Sequence, residues 1–357
     1  MDKKMIDLRS DTVTKPTVEM YDAISKAKLG DDVFQEDQTV NDLEKKAAKI
    51  MGKSAGLLVP SGTMGNLVSI LTHCDRGTEI LLGDKSHTFY YEAGGISAFG
   101  GIHSRQLKNQ IDGKIKISDI KSGIRVDNVH FPRTSAITLE NTHNLCNGSP
   151  LEAEYVNKVV EVAHENNMKV HIDGARIFNA AVSLDEDVKN LVANVDSVTF
   201  CLSKGLSSPI GSIICGDESF IYDARRMRKA LGGGMRQAGI IAAPGIVSLD
   251  TMIQQIKKDH RHIQILVDVL NEIEGLTLDH ANIKSNILYF EINEHIERSD
   301  KLKKQTKDKN KYPFEINLEG IYFLETSPNR FRLVTHHGIS TDDIKKTLNV
   351  LSSELIK

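Results

Sequence analysis

The sequence predicts an α/β protein. A large domain over residues 1–250 carries a mostly parallel sheet covered by helices on both faces, and a smaller α+β domain follows over 251–357. Three observations predict it. Short runs that are apolar on both faces alternate with amphipathic helical patterns. Polar, chemically capable residues collect just after several of those runs, where open α/β sheets build their sites. From Met252 the pattern changes to one long helix followed by shorter strands.

The elements follow in order. Residues 5–16 are dense in hydroxyls and charges and contain Pro16, too polar for a core strand, so residues 1–20 read as an ordered arm that contacts a site. Thr39 caps a helix with Val40, Leu43, Ala47 and Ile50 at helical spacing, and Gly52 ends it. Ala55-Gly56-Leu57-Leu58-Val59-Pro60 is a buried strand running into Ser61-Gly62-Thr63-Met64-Gly65-Asn66, then a helix with Leu67, Ile70 and Leu71 on one face. Thr78-Glu79-Ile80-Leu81-Leu82 and Ser135-Ala136-Ile137-Thr138-Leu139 are further strands. The first leads to His87 and its aromatic neighbours, the second to Glu140-Asn141-Thr142-His143-Asn144.

Residues 151–167 form an amphipathic helix leading to the strand that ends His171-Ile172-Asp173. A helix around Val188, Leu191 and Val192 precedes Ser197-Val198-Thr199-Phe200-Cys201, which ends at Ser203-Lys204-Gly205. Ile210 to Cys215 is one more strand, and the next helix, with Arg225, Arg226, Arg228 and Lys229, stops at Gly232-Gly233-Gly234. Beyond Met252 come a helix over 259–273, strands at Asn286 to Phe290 and Phe331 to Val334, and a last helix from Thr341 with Ile344, Leu348 and Leu351 buried. The lysine-rich run 299–311 reads as a solvated helix or loop.

Composition narrows the function classes. The hydrophobic share of 40% and charged share of 26% are those of an ordinary globular protein. With 45 basic and 48 acidic residues the net charge is -3, which offers no basic footprint for nucleic acid or a membrane surface. Cys74, Cys146, Cys201 and Cys215 lack paired spacing and read as reduced thiols of a cytoplasmic protein. No metal ligand set is assigned. Met1-Asp2-Lys3-Lys4 is polar and no apolar run approaches membrane length, so neither secretion nor membrane spanning is expected.

Two strand ends carry the chemistry. Lys204 and Asp173 close neighbouring runs, placing an amine and a carboxylate together. A lysine so placed can form a Schiff base, and an aspartate can pair with a pyridinium nitrogen: these are the groups a pyridoxal phosphate (PLP) enzyme must supply. Singly, they read more simply as a surface lysine and a helix-capping aspartate; the two together, with a phosphate candidate upstream, favour the cofactor. Upstream, Ser61, Gly62 and Thr63 open a helix, and free N–H groups with a positive dipole end suit a phosphate. No P-loop lysine accompanies them, which disfavours ATP. His87 is placed to stack on a planar cofactor, or is simply a helix-start histidine; His143 is an acid/base candidate.

Asp7-Leu8-Arg9-Ser10-Asp11-Thr12-Val13-Thr14, the runs 60–66, 140–144, 171–179, 200–205 and 232–239, and Phe331-Arg332-Leu333-Val334-Thr335-His336 together resemble the low-specificity L-threonine aldolases, fold-type I PLP enzymes of the aspartate aminotransferase-like class. The resemblance implies retro-aldol cleavage of L-threonine, L-allo-threonine and related β-hydroxy-α-amino acids to glycine and an aldehyde, with PLP as cofactor. It implies that Lys204 holds PLP, Asp173 keeps the pyridine protonated, and Arg176 meets the phenolic oxygen. Ser61, Gly62 and Thr63 take the phosphate and His87 stacks on the ring. Ser10, Arg176 and Arg332 receive the substrate carboxylate, with His143 near the β-hydroxyl. Arg236 reaches the phosphate of a neighbouring subunit in a dimer of dimers. Departures fall after Asn144, at Leu145-Cys146-Asn147-Gly148-Ser149-Pro150, and over 291–330. The rival readings are a PLP lyase that eliminates a β-substituent, a non-catalytic PLP-binding protein, and a cofactor-free lysine aldolase acting on sugars.

Overall fold

The computed structural model describes residues 5–306 and 312–356. The strands, in chain order, are β1 (Ile6–Asp7), β2 (Ala55–Val59), β3 (Glu79–Gly83), β4 (His103–Leu107), β5 (Thr134–Glu140), β6 (Lys169–Asp173), β7 (Ser197–Cys201), β8 (Ser212–Gly216), β9 (Leu276–Leu278), β10 (Ile287–Ile292), β11 (Phe314–Leu318), β12 (Ile321–Ser327) and β13 (Arg330–Val334). A seven-stranded sheet has the order β2-β8-β7-β6-β5-β3-β4. Its central pairs are parallel, and β8 alone runs antiparallel to both neighbours. Every residue of β3, β7 and β8 is buried, because helices cover both faces. In register, Glu140 lies beside Asp173 and Asp173 beside Thr199, so adjacent parallel strands end on one line and deliver their next residues to one place.

The six-stranded second sheet has the order β1-β12-β13-β10-β9, with β11 on β12. It packs its own apolar cluster, including Phe290, Phe323 and Phe331, against the helices Ile256–Leu270 and Thr341–Glu354. The sequence pattern did not reveal β4, β9, β11 or β12. β4 is an edge strand, His-Ser-Arg-Gln-Leu, with only Leu107 buried, so it has no apolar run to detect.

Three local expectations are corrected. The arm is not strand-free. Ile6 and Asp7 pair in parallel with Ile321 and Tyr322, Leu8 N donates to Tyr322 O at 2.7 Å, and Val334 N donates to Leu8 O at 2.8 Å. Ile6 and Leu8 are buried, while the alternating Asp7 and Arg9 pair with each other and hide the period of two. Thr39 is not the cap of its helix, Gln38–Met51. Asp37 Oδ1 accepts from Val40 N at 3.0 Å, and Thr39 Oγ1 instead ties back to Lys28, as both donor and acceptor. Gly52, at φ 65, ends the helix in the left-handed region, as glycine allows.

The third concerns membrane-length runs. Gly239–Leu270 is one 32-residue helical stretch that passes for a membrane span on length and composition alone, although half of its most apolar window is buried inside the fold. Pro244 and a π-helical turn at Ser248–Met252 interrupt it, which is why the sequence divides it into separate segments. Of the run 299–311, Asp300–Gln305 is helical and residues 307–311 lie outside the described residues, as do residues 1–4.

Candidate active site

The site sits where β5, β6 and β7 end. Two adjoining cavities meet there and share His87 and Lys204. The inner one, about 140 Å³, is bounded by Gly62, Thr63 and Asn66 of helix Gly62–His73, by Glu92, by Asp173 at the end of β6, and by Ser203 and Lys204 after β7. A side chain at position 62 would place its Cβ 2.8 Å from Cys201 Sγ, so glycine is what lets the helix start this close to β7. Ser61 Oγ accepts from Met64 N at 3.2 Å, which caps the helix and leaves the N–H groups of Gly62 and Thr63 for an anion. Ser61 is exposed and lies just outside the lining.

The outer cavity, about 270 Å³, is lined by Ser10, Thr12, Tyr91, Asn144, Arg176 and Arg332, together with Leu145, Pro313, Leu324 and Thr326. Arg332 is aimed by two contacts: Nη1 donates to Asn144 Oδ1 at 3.1 Å and Nη2 to Arg9 O at 2.9 Å. Its Nε is buried without a partner. A buried guanidinium N–H left unpaired is costly, and a carboxylate entering this cavity can satisfy it.

Arg176 is more committed than its sequence context suggests. Nε and Nη2 donate to Asp11 Oδ2 and Oδ1, both at 2.7 Å, and both residues are buried. Burial alone raises the Asp11 pKa. The Arg176 charge and hydrogen bonds, helped by Lys204 and Asn286, outweigh it and hold the carboxyl well below the usual carboxylate range.

His87 heads the short helix His87–Tyr90. Its N–H donates to Glu140 Oε2 at 2.7 Å, and its Nδ1 lies 2.9 Å from Glu92 Oε1. Burial opposes its protonation, but the bond to Glu92 and the charges of Asp173, Glu92 and Glu140 prevail and raise its pKa. A ring nitrogen of His87 and carboxylate oxygens of Glu92 and Asp173 lie within 4.8 Å of one another, close enough to share protons.

The structure therefore brings Lys204, Asp173, His87, Gly62, Thr63, Arg176, Ser10 and Arg332 to two joined cavities. It does not bring His143 there. His143 is 1% exposed, neither ring nitrogen has a hydrogen-bond partner, and its Nε2 lies 3.9 Å from Glu140 Oε2. Its backbone bridges to Ser149, Gly113 packs against its Cβ, and it lies in neither cavity lining. Arg236 also lies outside both linings. Its side chain is 54% exposed and its Nη1 is 3.0 Å from Asp31 Oδ2. Residues that the sequence left unassigned include Asp11, Asn66, Glu92 and Asn144. Asp11 and Asn144 lie inside recognised motifs, whereas no local pattern marks Glu92.

The residues suit PLP: a half-buried lysine, a buried aspartate across from it, and a side-chain-free helix start with open N–H groups in one cavity.

Comparison with known proteins agrees. The family model for beta-eliminating lyases matches residues 7–293. The low-specificity L-threonine aldolase 1 of Arabidopsis thaliana is 41% identical over 357 residues, covering 99% of this chain and 97% of that one. The low specificity L-threonine aldolase of Escherichia coli K12 is 38% identical over 340 residues, covering 95% and 96%. The solved Leishmania major threonine aldolase superposes with a TM-score of 0.78 at 17% identity, covering 98% of this chain and 99% of that one, and supports the fold.

Proposed function

The chain belongs to the beta-eliminating lyase family, and from that premise we propose how its residues work as a PLP-dependent L-threonine aldolase. The reaction is carbon–carbon cleavage of L-threonine and related β-hydroxy-α-amino acids to glycine and an aldehyde, acetaldehyde from threonine. The observation that carries this reading is Lys204, shared by a cavity that suits the cofactor and a cavity that suits an amino-acid carboxylate.

Bound PLP supplies an electron sink for the pair released when Cα–Cβ breaks. The chain's own residues do the rest. Lys204 would hold the cofactor through its amine, where the two cavities meet. Gly62, Thr63 and the helix start receive the phosphate, with Ser61 holding that turn in shape through its cap. Asp173 keeps a pyridine nitrogen protonated, so the sink stays charged. Arg332, with Ser10 beside it, takes the substrate carboxylate in a two-point grip that orients the breaking bond. Arg176, braced by Asp11, presents positive charge to the same cavity.

The β-hydroxyl proton leaves toward His87, which borders both cavities, through a water held there. His143 supports this from beneath the cavity wall, and we assign it no direct contact.

Three coarser features complete the proposal. Residues 1–250 with the arm act as the cofactor-binding unit and 251–357 as the smaller one. The protein works in the cytoplasm, which suits four buried thiols. It assembles as a dimer of dimers in which Arg236 crosses to the neighbour's phosphate. The exposed guanidinium and the exposed side chains of Phe34, Tyr90 and Ile240 support that assembly.

The test is product analysis of the purified, PLP-loaded protein with L-threonine and with L-allo-threonine. Glycine and acetaldehyde are expected. 2-Oxobutanoate and ammonia would establish β-elimination instead, and bound PLP without turnover would establish a binding protein.

A further inference from the structure

From the wall of the inner cavity, where Glu92 and Asn66 stand, a chain of buried polar side chains runs back into the protein. Asn66 Nδ2 donates to Glu92 Oε1 at 2.8 Å, and His171 Nε2 lies 3.2 Å from Asn66 Oδ1. His171 Nδ1 lies 2.8 Å from Ser197 Oγ, which also meets His73 Nε2 at 2.7 Å. Glu92, Asn66, His171 and Ser197 are each 6% exposed or less. His171 and Asp173 are two residues apart on β6 and so share a face of the sheet.

The direction of every bond in this chain can be worked out from its end. Glu92 Oε1 is approached by an amide nitrogen and an imidazole nitrogen, so that oxygen accepts from both. The Asn66 amide must then point Nδ2 at Glu92 and Oδ1 at His171, which requires a proton on His171 Nε2. Burial, with the nearby His73 adding to it, pushes the His171 pKa down to about 3, so the ring is neutral and its Nδ1 accepts. Ser197 donates to that nitrogen and accepts from His73. All protons in the chain point one way, toward Glu92.

We propose that Glu92 is a positioning residue: it holds the His87 proton on Nδ1, which leaves Nε2 as the acceptor, and the Asn66–His171–Ser197 chain keeps Glu92 turned for that task. The proposal rests on the reading of His87 as part of a PLP aldolase site and deepens it. Asparagine suits position 66 because it donates to a carboxylate with one atom and accepts from an imidazole with the other. Asp173 faces both Glu92 and His87, Glu140 faces His87 from the end of β5, and the Tyr91 ring packs 5.4 Å from the His87 ring. Burial, the main influence, together with Asp173, outweighs His87 and Asn66 and leaves the Glu92 pKa raised. Two N–H groups on one oxygen keep the shared proton on nitrogen.

The experiment uses the full-length protein labelled with nitrogen-15 histidine, with PLP and after its removal. The His87 signals are identified by their loss in His87→Asn. In the wild type the neutral His87 ring is expected to carry its proton on Nδ1 and none on Nε2. Finding the proton on Nε2 overturns the proposal without any variant at Glu92. Glu92→Gln keeps the shape and both acceptor contacts but removes the charge. It is expected to lower the pH at which His87 titrates by about one unit or more, and to move the acid limb of the kcat/KM profile the same way. Glu92→Asp is expected to restore the wild-type titration in part.

A residue that only packs would leave the titration in place when its charge is removed, and an unchanged titration in Glu92→Gln refutes the role. If that variant does not fold, the wild-type ring measurement decides alone. The ring readout needs no turnover. A protein that makes no glycine would refute the aldolase reading while this measurement still stands or falls by itself.

Discussion

Asp11 and Arg176, 165 positions apart, form a buried two-point ion pair at 2.7 Å per contact, and it ties the amino-terminal arm to the loop after β6. The arm is thus part of the site's wall and orders the guanidinium at the edge of the substrate cavity. Asn286 Nδ2 approaches the same carboxylate at 3.3 Å, which adds the second sheet to the junction.

Removing Asp11 leaves Arg176 buried without its counter-ion. Asp11→Ala is therefore expected to cost about 3–5 kcal/mol of stability at neutral pH. The Asp11 pKa is depressed in the folded state, so its contribution is complete above the unfolded value near about 4 and is lost as pH falls toward the folded one. Urea melts of wild type and Asp11→Ala should differ most at pH 7 and converge in acid. A gap that widens in acid would reverse the assigned sign.

Lys204 is expected to be the lysine that carries PLP. Borohydride treatment of the loaded protein, followed by peptide mapping, should find the label on Lys204, and a label on Lys229 would reassign the site. Lys204→Ala should keep weaker PLP binding through the helix start and lose turnover. Asp173→Asn should fold normally and lose about 3–4 kcal/mol of transition-state stabilisation, the scale seen when one preorganised group is removed. A rate within a few-fold of wild type would make Asp173 a structural cap.

Arg332→Lys retains the charge but not the fork. Loss of one charge-assisted bond predicts a decrease in kcat/KM worth about 1.5–3 kcal/mol. Because Asn144 Oδ1 and Arg9 O aim the guanidinium, Asn144→Ala should lower kcat/KM in the same direction by a smaller amount. Steady-state kinetics with L-threonine decide both, and an unchanged kcat/KM in Arg332→Lys would remove it from the carboxylate site.

Arg236 is expected to act on the neighbouring subunit. Mixing Arg236→Ala with Lys204→Ala under conditions of verified subunit exchange should create hybrid sites with both residues intact, and activity should rise above either parent. Folded, exchanging variants that stay inactive would confine Arg236 to its local contact with Asp31.

The sequence by itself determined the features that short-range physics controls. Apolar runs such as Ser197-Val198-Thr199-Phe200-Cys201 can only be strands buried on both faces, so the residues after them, Asp173 and Lys204 among them, had to reach one edge of a parallel sheet. The small residues at 61–63 announced a helix start that an anion can approach, because side-chain size and free N–H groups are local properties. The arm was less legible: Ile6 and Leu8 alternate with Asp7 and Arg9, too short a pattern to separate a strand from a polar tail. Asp37 took the cap that Thr39 promised because Thr39 found Lys28 as a partner, a contact made outside the helix.

Only the tertiary structure decided which charges meet. Asp11 reaches Arg176 across 165 residues, and Glu92 stands beside Asp173 although no spacing relates them. His143 follows a strand end as Lys204 does, yet it is buried against Gly113 and lines neither cavity. Periodicity and capping reflect forces that act within a few residues. The pairing of buried charges reflects desolvation, which depends on what packs around a side chain in three dimensions and leaves no trace in the residues next to it.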